Sequence, residues 1–288
     1  VVWDYSYDIL DGKGACTTIK PSEILSFAKT LALNYLLGSV YRVYTWRLEK
    51  QVLSKPRPKH IGFILDGNRR WARNKNLPTL LGHKMGYNKA KEVLDWCWEQ
   101  DIQTVTVYAL SLDNMRRRKM EEVNNLISLV EQAVMELTED SRIMKRQVKI
   151  KMIGRRELLP ASLLAKITKL EKMTENNAKF NLFLAVGYSG RAEIVDAVKK
   201  IVEDSKSGKI SSESITEQTV SEYLYTAGTD DPDLILRTGG ETRLSDFLPW
   251  QAIYSEFVFI DVPWPDFRKI DFLRAIRTYQ LKDRRRGS

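Results

Sequence analysis

Three stretches of this chain end an apolar run in residues able to hold phosphate. The run 61–65 leads into Asp66-Gly67-Asn68-Arg69-Arg70-Trp71, and the run 104–110 into Ser111-Leu112-Asp113-Asn114-Met115-Arg116-Arg117-Arg118. The run 234–236 leads into Arg237-Thr238-Gly239-Gly240-Glu241-Thr242-Arg243-Leu244-Ser245. Each brings arginine beside a small hydroxyl or amide residue. Arginine's planar fork suits phosphate oxygens, and free N–H groups at a helix start add to such a cradle. A carboxylate next to it, here Asp66, can hold Mg2+, which binds through one or two carboxylates plus phosphate oxygens. For any one tip the competing account is a turn aspartate capping a helix among solvated arginines. Three such tips on one sheet edge point to a diphosphate site.

Other chemistries fail on spacing. The chain has no G-x-x-x-x-G-K-[ST], no G-x-G-x-x-G after a strand, and no H-E-x-x-H. Asp230-Asp231-Pro232-Asp233 superficially matches an aspartate-rich D-D-x-x-D motif. Leu234 breaks the spacing and Pro232 would break the helix that motif needs, so the segment reads as a turn. Cys16 and Cys97 cannot build a disulfide framework, and with only two His no zinc cluster forms, so both thiols are expected reduced. The net charge of +9 calls for an anionic partner: nucleic acid, a membrane surface or a phosphorylated small molecule. The stacking aromatics of a nucleic-acid module are not interleaved with the basic clusters.

The elements that must carry these tips alternate. Strands are predicted at 61–65, 104–110, 148–153, 180–186, 234–236 and 257–260. Helices are predicted over 83–100, with Ala90, Val93, Leu94 and Cys97 on one face, over 121–137, with Val123, Leu126, Ile127 and Val130, and from 190 through 202. The fold class is therefore α/β: a single domain with a six-stranded, mostly parallel sheet flanked by helices, binding ligand beyond the carboxyl ends of its strands. Ahead of it, Lys29, Asn34, Gly38 and Arg42 interrupt the apolar 24–46, so a helical arm over 22–52 is expected in place of a spanning helix. The KPRP at 55–58 makes an extended linker. The domains are thus 1–58, arm and linker, and 59–288. The first residues lack a basic region followed by an apolar run, so no cleavable signal peptide is expected.

Taken in this order, the tips resemble the cis-prenyltransferases, the family of undecaprenyl and dehydrodolichyl diphosphate synthases. The resemblance is carried by HIGFILDGNRRWA (60–72), GHKMG (82–86), TVYALSLDN (106–114), DLILRTGGETRLSDFLPWQAIYSEFVF (233–259) and WPDF (264–267). It covers 60–288 and looks most like the archaeal members. It implies the cis-prenyltransferase fold and a Mg2+-dependent condensation of isopentenyl diphosphate onto an allylic prenyl diphosphate, giving a polyprenyl diphosphate for lipid-carrier biosynthesis. At matching positions it implies Asp66 as metal ligand, helped by Glu256. Gly67, Asn68, Arg69 and Arg70 would cradle the primer diphosphate, with His83 nearby. Arg237, Arg243 and Ser245 would bind the donor diphosphate. Ser111, Asn114 and Arg117 would line the reaction centre, and Trp71 would shape the entrance to a tunnel for the growing chain.

Arg285 and Gly287 match an R-x-G element that reaches a neighbouring subunit's donor site, which implies a homodimer. The implied location is cytoplasmic, with peripheral membrane contact. Such chemistry needs no imidazole base: metal and arginines stabilise the leaving diphosphate, and His60 reads as a strand-entry histidine. Thr242 stands where many bacterial members carry histidine, Met115 where an aromatic is usual, and Thr79 where a further arginine binds primer. A family glutamate maps to Glu121 or Glu122. These departures leave open a prenyltransferase of the same fold with another acceptor, such as an alcohol. A non-catalytic nucleic-acid or membrane binder is the remaining alternative.

Overall fold

The computed structural model describes residues 38–282. By contacts the chain divides into Val1–Arg47 and Leu48–Ser288. Of the first unit, 38–47 are described and are helical. Residues 22–37 of the segment read as an arm, with Cys16, Arg285 and Gly287, lie outside the described residues. In the second unit residues 48–53 are helical (α1). There Leu48 and Val52 are buried in the main core, and Lys269 Nζ meets Glu49 Oε1 at 2.9 Å. Residues 48–58, read as the end of the arm and its linker, thus group with the larger unit. No helix among the described residues is long and apolar enough to cross a membrane.

Six strands form the sheet: β1 (His60–Ile64), β2 (Thr104–Ser111), β3 (Val148–Ile153), β4 (Phe180–Tyr188), β5 (Leu234–Arg237) and β6 (Glu256–Phe259). Their order is β3-β4-β2-β1-β5-β6 and every pairing is parallel, not mostly so. All five residues of β1 are buried, as expected of a central strand covered on both faces. The covering helices are α2 (Asn68–Asn74), α3 (Thr79–Glu99), α4 (Leu112–Arg117), α5 (Met120–Glu139), α6 (Ser141–Lys145), α7 (Ala161–Thr174), α8 (Gly190–Lys206), α9 (Glu217–Tyr223) and α10 (Lys269–Gln280). Helix α3 starts four residues ahead of the predicted one, directly after Pro78, whose fixed φ of −57° suits a helix entry. Asp230 to Asp233 form the predicted loop. Asp233 Oδ2 accepts from the Lys59 and His60 N–H groups at 2.6 and 3.2 Å, pinning the start of β1.

Two apolar clusters hold the helices on the sheet. One includes Phe63, Trp264, Phe267 and Phe272, with Trp264 and Phe267 stacked at 5.4 Å. The other includes Phe183, Tyr188, Ile235 and Phe247, and Tyr108 stacks on Phe247 at 4.7 Å. The chain leaves β1 toward β2 on one side and β5 toward β6 on the other. Between these neighbours the strand order reverses, and a crevice opens at their carboxyl ends. Ile64 is in register with Arg237 there, whereas Glu256 is in register with Leu234 at the opposite, amino end.

Candidate active site

Asp66 and Arg237 meet in that crevice. Arg237 Nη2 donates to Asp66 Oδ2 at 2.7 Å, and its Nη1 donates to Ser245 Oγ at 2.8 Å and to the Arg243 carbonyl. The guanidinium is 4% exposed, yet its Nε has no partner among the described residues. Asp66 Oδ1 accepts from the Gly67 N–H at 2.6 Å. The Asp66 carbonyl accepts from Thr238 Oγ1 and the Trp264 N–H, each at 2.9 Å. Arg70 Nη2 lies 3.7 Å from Asp66 Oδ1 and donates to the Gly239 carbonyl at 2.5 Å. The turn into α2, the tip of β5 and the 264–266 turn therefore converge on one aspartate.

Local sequence explains the approach. Gly67 has φ 99°, a left-handed turn that hands β1 to α2, and a Cβ there would lie 2.8 Å from Pro263 Cα. Helix α2 opens without a side-chain cap, which leaves its start polar. The two glycines of GHKMG let α3 press against it. A Cβ at Gly82 would sit 2.3 Å from the Asn68 carbonyl oxygen, and one at Gly86 2.2 Å from Asn68 Oδ1. Asn68 Nδ2 donates to the Leu65 carbonyl at 3.1 Å, while Oδ1 is buried without a partner among the described residues.

A second cluster flanks the first. His83 Nε2 lies 3.2 Å from Glu122 Oε1, Arg118 Nη1 donates to the same oxygen at 2.9 Å, and Arg69 Nε is 3.6 Å away. Burial pulls the His83 pKa below its usual value, against the opposing hydrogen bond to Glu122, so the ring is neutral at pH 7. Burial likewise lowers Arg118. Sequence reasoning left the family glutamate between two residues, and the structure turns Glu122 inward while Glu121 is exposed. Arg118 was passed over in favour of Arg117. The i,i+4 spacing of Arg118 to Glu122 was the available signal.

The loop after β5 is held from below. Ser245 and Asp246 both have positive φ, 51° and 65°. Asp246 Oδ2 accepts from Ser189 Oγ at 2.5 Å, its Oδ1 from the Arg191 N–H at 3.0 Å, and its carbonyl from the Gly190 N–H at 2.9 Å. Three bonds to one residue fix a strained turn. Nothing in the sequence pattern marked Asp246.

These groups form the mouth of a cavity of about 1160 Å3. Asp66, Asn68, His83, Ser111, Asn114, Arg117, Arg237, Arg243 and Ser245 all line it. Farther in, its walls are apolar, with Ala90 and Leu94 of α3 facing Leu126, Leu129, Val130 and Ala133 of α5. Ser111 also caps α4, accepting from the Asn114 N–H at 3.0 Å. Arg117 is 79% exposed and pairs with Asp113 at 2.7 Å, and Arg243 pairs with Glu241 at 2.5 Å.

Two expectations are corrected. Trp71 does not line the cavity: it is buried, and its Nε1 donates to Asp266 Oδ1 at 2.7 Å, bracing α2 against the 264–266 turn. Glu256 does not join Asp66. It stands three residues back from the β5 tip, about 10 Å along the strand direction, and lies 3.6 Å from Lys282. One carboxylate at the mouth still fits Mg2+, which uses few protein ligands when phosphate oxygens complete its shell. Among the described residues no group of three or more His, Cys, Asp or Glu makes an all-protein metal cage.

A family model described as "Putative undecaprenyl diphosphate synthase" matches residues 64–287. The chain belongs to this family. Among its relatives, an isoprenyl transferase of Thermus thermophilus is 48% identical over 252 residues, 86% of this chain and 95% of the relative. A tritrans,polycis-undecaprenyl-diphosphate synthase (geranylgeranyl-diphosphate specific) of Thermoplasma volcanium is 48% identical over 246 residues, 85% and 95%. Among solved structures, lavandulyl diphosphate synthase from Lavandula x intermedia in complex with dimethylallyl diphosphate superposes with a TM-score of 0.75. It is 32% identical, with 79% of this chain and 97% of that one covered. This cis-prenyltransferase thus shares both sequence and fold with its relatives across the larger unit.

Proposed function

We propose that this enzyme condenses isopentenyl diphosphate onto an allylic prenyl diphosphate, in repeated cis additions, to make a long polyprenyl diphosphate. The observation that carries this is the cavity: a mouth of arginine, serine and carboxylate opening into an apolar tunnel between α3 and α5. Such a shape suits a molecule with a diphosphate at one end and a hydrocarbon chain at the other. In this reading the start of α2, with Asn68, Arg69 and Arg70, takes the primer diphosphate, and Arg237, Arg243 and Ser245 take that of the donor. Residues 59–288 act as the catalytic domain.

Asp66, with oxygens of the bound diphosphates, would hold Mg2+, which neutralises charge developing on the leaving diphosphate. The chain's own residues do the rest. Arg237 is held rigid by Asp66 and Ser245, so its charge is aimed before substrate arrives and needs no reorganisation during reaction. Asn114 and Ser111 border the space between the two diphosphate positions. The apolar wall excludes water from the allylic cation. A proton is lost from the condensed product to a diphosphate oxygen, and neutral His83 is not needed for it.

A homodimer fits the outer edge of the sheet. Ile253 and Tyr254 are 72% and 78% exposed, and Phe257 and Phe259 of edge strand β6 stack outward at 6.3 Å. A contiguous apolar edge of this kind is an association surface. Peripheral membrane contact suits the lipid product and the apolar 24–46.

The test is incubation with Mg2+, farnesyl or geranylgeranyl diphosphate and labelled isopentenyl diphosphate. Extended cis products read by mass spectrometry support the proposal, and no incorporation overturns it. The likeness to lavandulyl diphosphate synthase motivates one other acceptor, a second short allylic diphosphate; a single branched condensation product would favour that reading. The volume of the cavity, about 1160 Å3, favours elongation.

A further inference from the structure

Away from Asp66 the tunnel is bordered by charge. Near the mouth α3 and α5 are joined by His83 and Glu122. About 21 Å further along α5, at 1.5 Å per residue, they are joined again by Lys91 Nζ and Glu136 Oε2 at 3.0 Å. Beyond that, Asp95 Oδ1 of α3 meets Arg142 Nη1 of α6 at 2.6 Å. Lys91, Glu136 and Arg142 line the same cavity as Asp66, and so does Trp98, whose ring lies 5.5 Å from the Arg142 guanidinium. Lys91 Nζ also stands 4.7 Å from the centre of the Tyr87 ring. The apolar lining therefore adjoins two ion pairs, one between α3 and α5 and one between α3 and α6.

A close-packed apolar floor resists an advancing chain because its side chains have nowhere to go. Ion pairs between half-exposed side chains hold weakly, are screened by salt, and swing into water when parted. Here the four charged side chains are between 40% and 51% exposed. Resting on the reading above, we propose that these pairs are a polar door. The tail of the growing prenyl chain parts Lys91 from Glu136 and Asp95 from Arg142 and leaves the tunnel between α3 and α5–α6. The strength of this latch, in place of a solid floor, sets product length. The charged rim faces water or headgroups while the apolar wall guides the tail to it.

The experiment compares product lengths by mass spectrometry, with one primer and labelled isopentenyl diphosphate, at low and high salt. The double variant Lys91→Ala/Glu136→Ala should move the most abundant product longer by one or more isoprene units. The charge-swapped Lys91→Glu/Glu136→Lys should return it toward the wild-type length, which also answers a folding defect in the double alanine variant. High salt should lengthen wild-type products and leave the double alanine variant unmoved. Ala133→Trp, a floor placed ahead of the door, should shorten products. Normal incorporation with the same or shorter lengths in both Lys91/Glu136 variants overturns the door and leaves the condensation standing. Absence of incorporation by the wild-type enzyme overturns both.

Discussion

Arg237 and Asp66 face each other at 2.7 Å from the tips of adjacent strands, although 171 positions separate them in the chain. The same guanidinium reaches Ser245 at 2.8 Å. One buried cation thus joins the carboxylate assigned to the metal to the loop assigned to the donor diphosphate. Removing Asp66 leaves Arg237 short of its counter-charge, and removing Arg237 frees both loops. Asp66→Ala and Arg237→Ala should each lower condensation by roughly 10²-fold or more, the scale on which a preorganised donor is lost. Arg237→Lys should raise the KM for both substrates, because a point charge cannot hold two partners. Steady-state kinetics with each substrate varied in turn checks this; an effect on the donor alone would contradict the shared role.

Gly86→Ala tests the contact that explains GHKMG. Its methyl would fall 2.2 Å from Asn68 Oδ1, so the Asn68 amide must swing aside or α2 and α3 must separate. Overpacking of this kind costs about 1–3 kcal/mol, visible as a lower Tm. Primer KM should rise with it, since Asn68 moves. An unchanged Tm would show that the helices have slack.

Trp71→Phe keeps an aromatic ring, trims the indole to a phenyl and removes the hydrogen bond to Asp266. Loss of about 1 kcal/mol in stability is expected, with the tunnel unaffected and product length unchanged. A change in product length would return Trp71 to the tunnel.

His60 makes the fold sensitive to acid. Its Nδ1 lies 2.7 Å from the Asp230 carbonyl and Nε2 2.8 Å from Thr106 Oγ1, and burial lowers its pKa to about 4 from 6.5. The unfolded chain then binds the proton more readily than the folded one. The histidine's contribution is complete above about pH 6.5 and is lost as pH falls toward 4, at up to about 1.4 kcal/mol per pH unit. Denaturant midpoints measured from pH 7 to 4.5 should fall, and more shallowly in His60→Asn. Parallel curves for the two proteins would remove His60 from the account.

The sheet was legible because each strand is a short apolar run closed by polar residues, and a central parallel strand must read that way. The strand-tip residues were legible for the same reason: ligands gather where such strands end. Trp71 was misplaced because a motif match does not say which face of a two-turn helix a residue shows. Glu256 was misplaced because a motif match carries no strand direction; in a parallel pair its register with Leu234 puts it at the wrong end. Arg118 and Glu122 were marked only by their i,i+4 spacing; their meeting with His83, like that of Asp246 with Ser189, joins elements far apart in sequence. The door at the tunnel's end has no motif at all, being made of ordinary surface charges on three helices.

Because all six strands run the same way, the molecule has a working rim and an idle rim. The strand-to-helix turns gather on the first, and each residue there is tied to several others. His60, Asp233 and Glu256 stand on the second, where chain returns from helix to strand. Insertions, fusions or a partner's grip on that side would lie away from Asp66 and Arg237. A lineage could therefore change whom this enzyme associates with while its chemistry stays fixed.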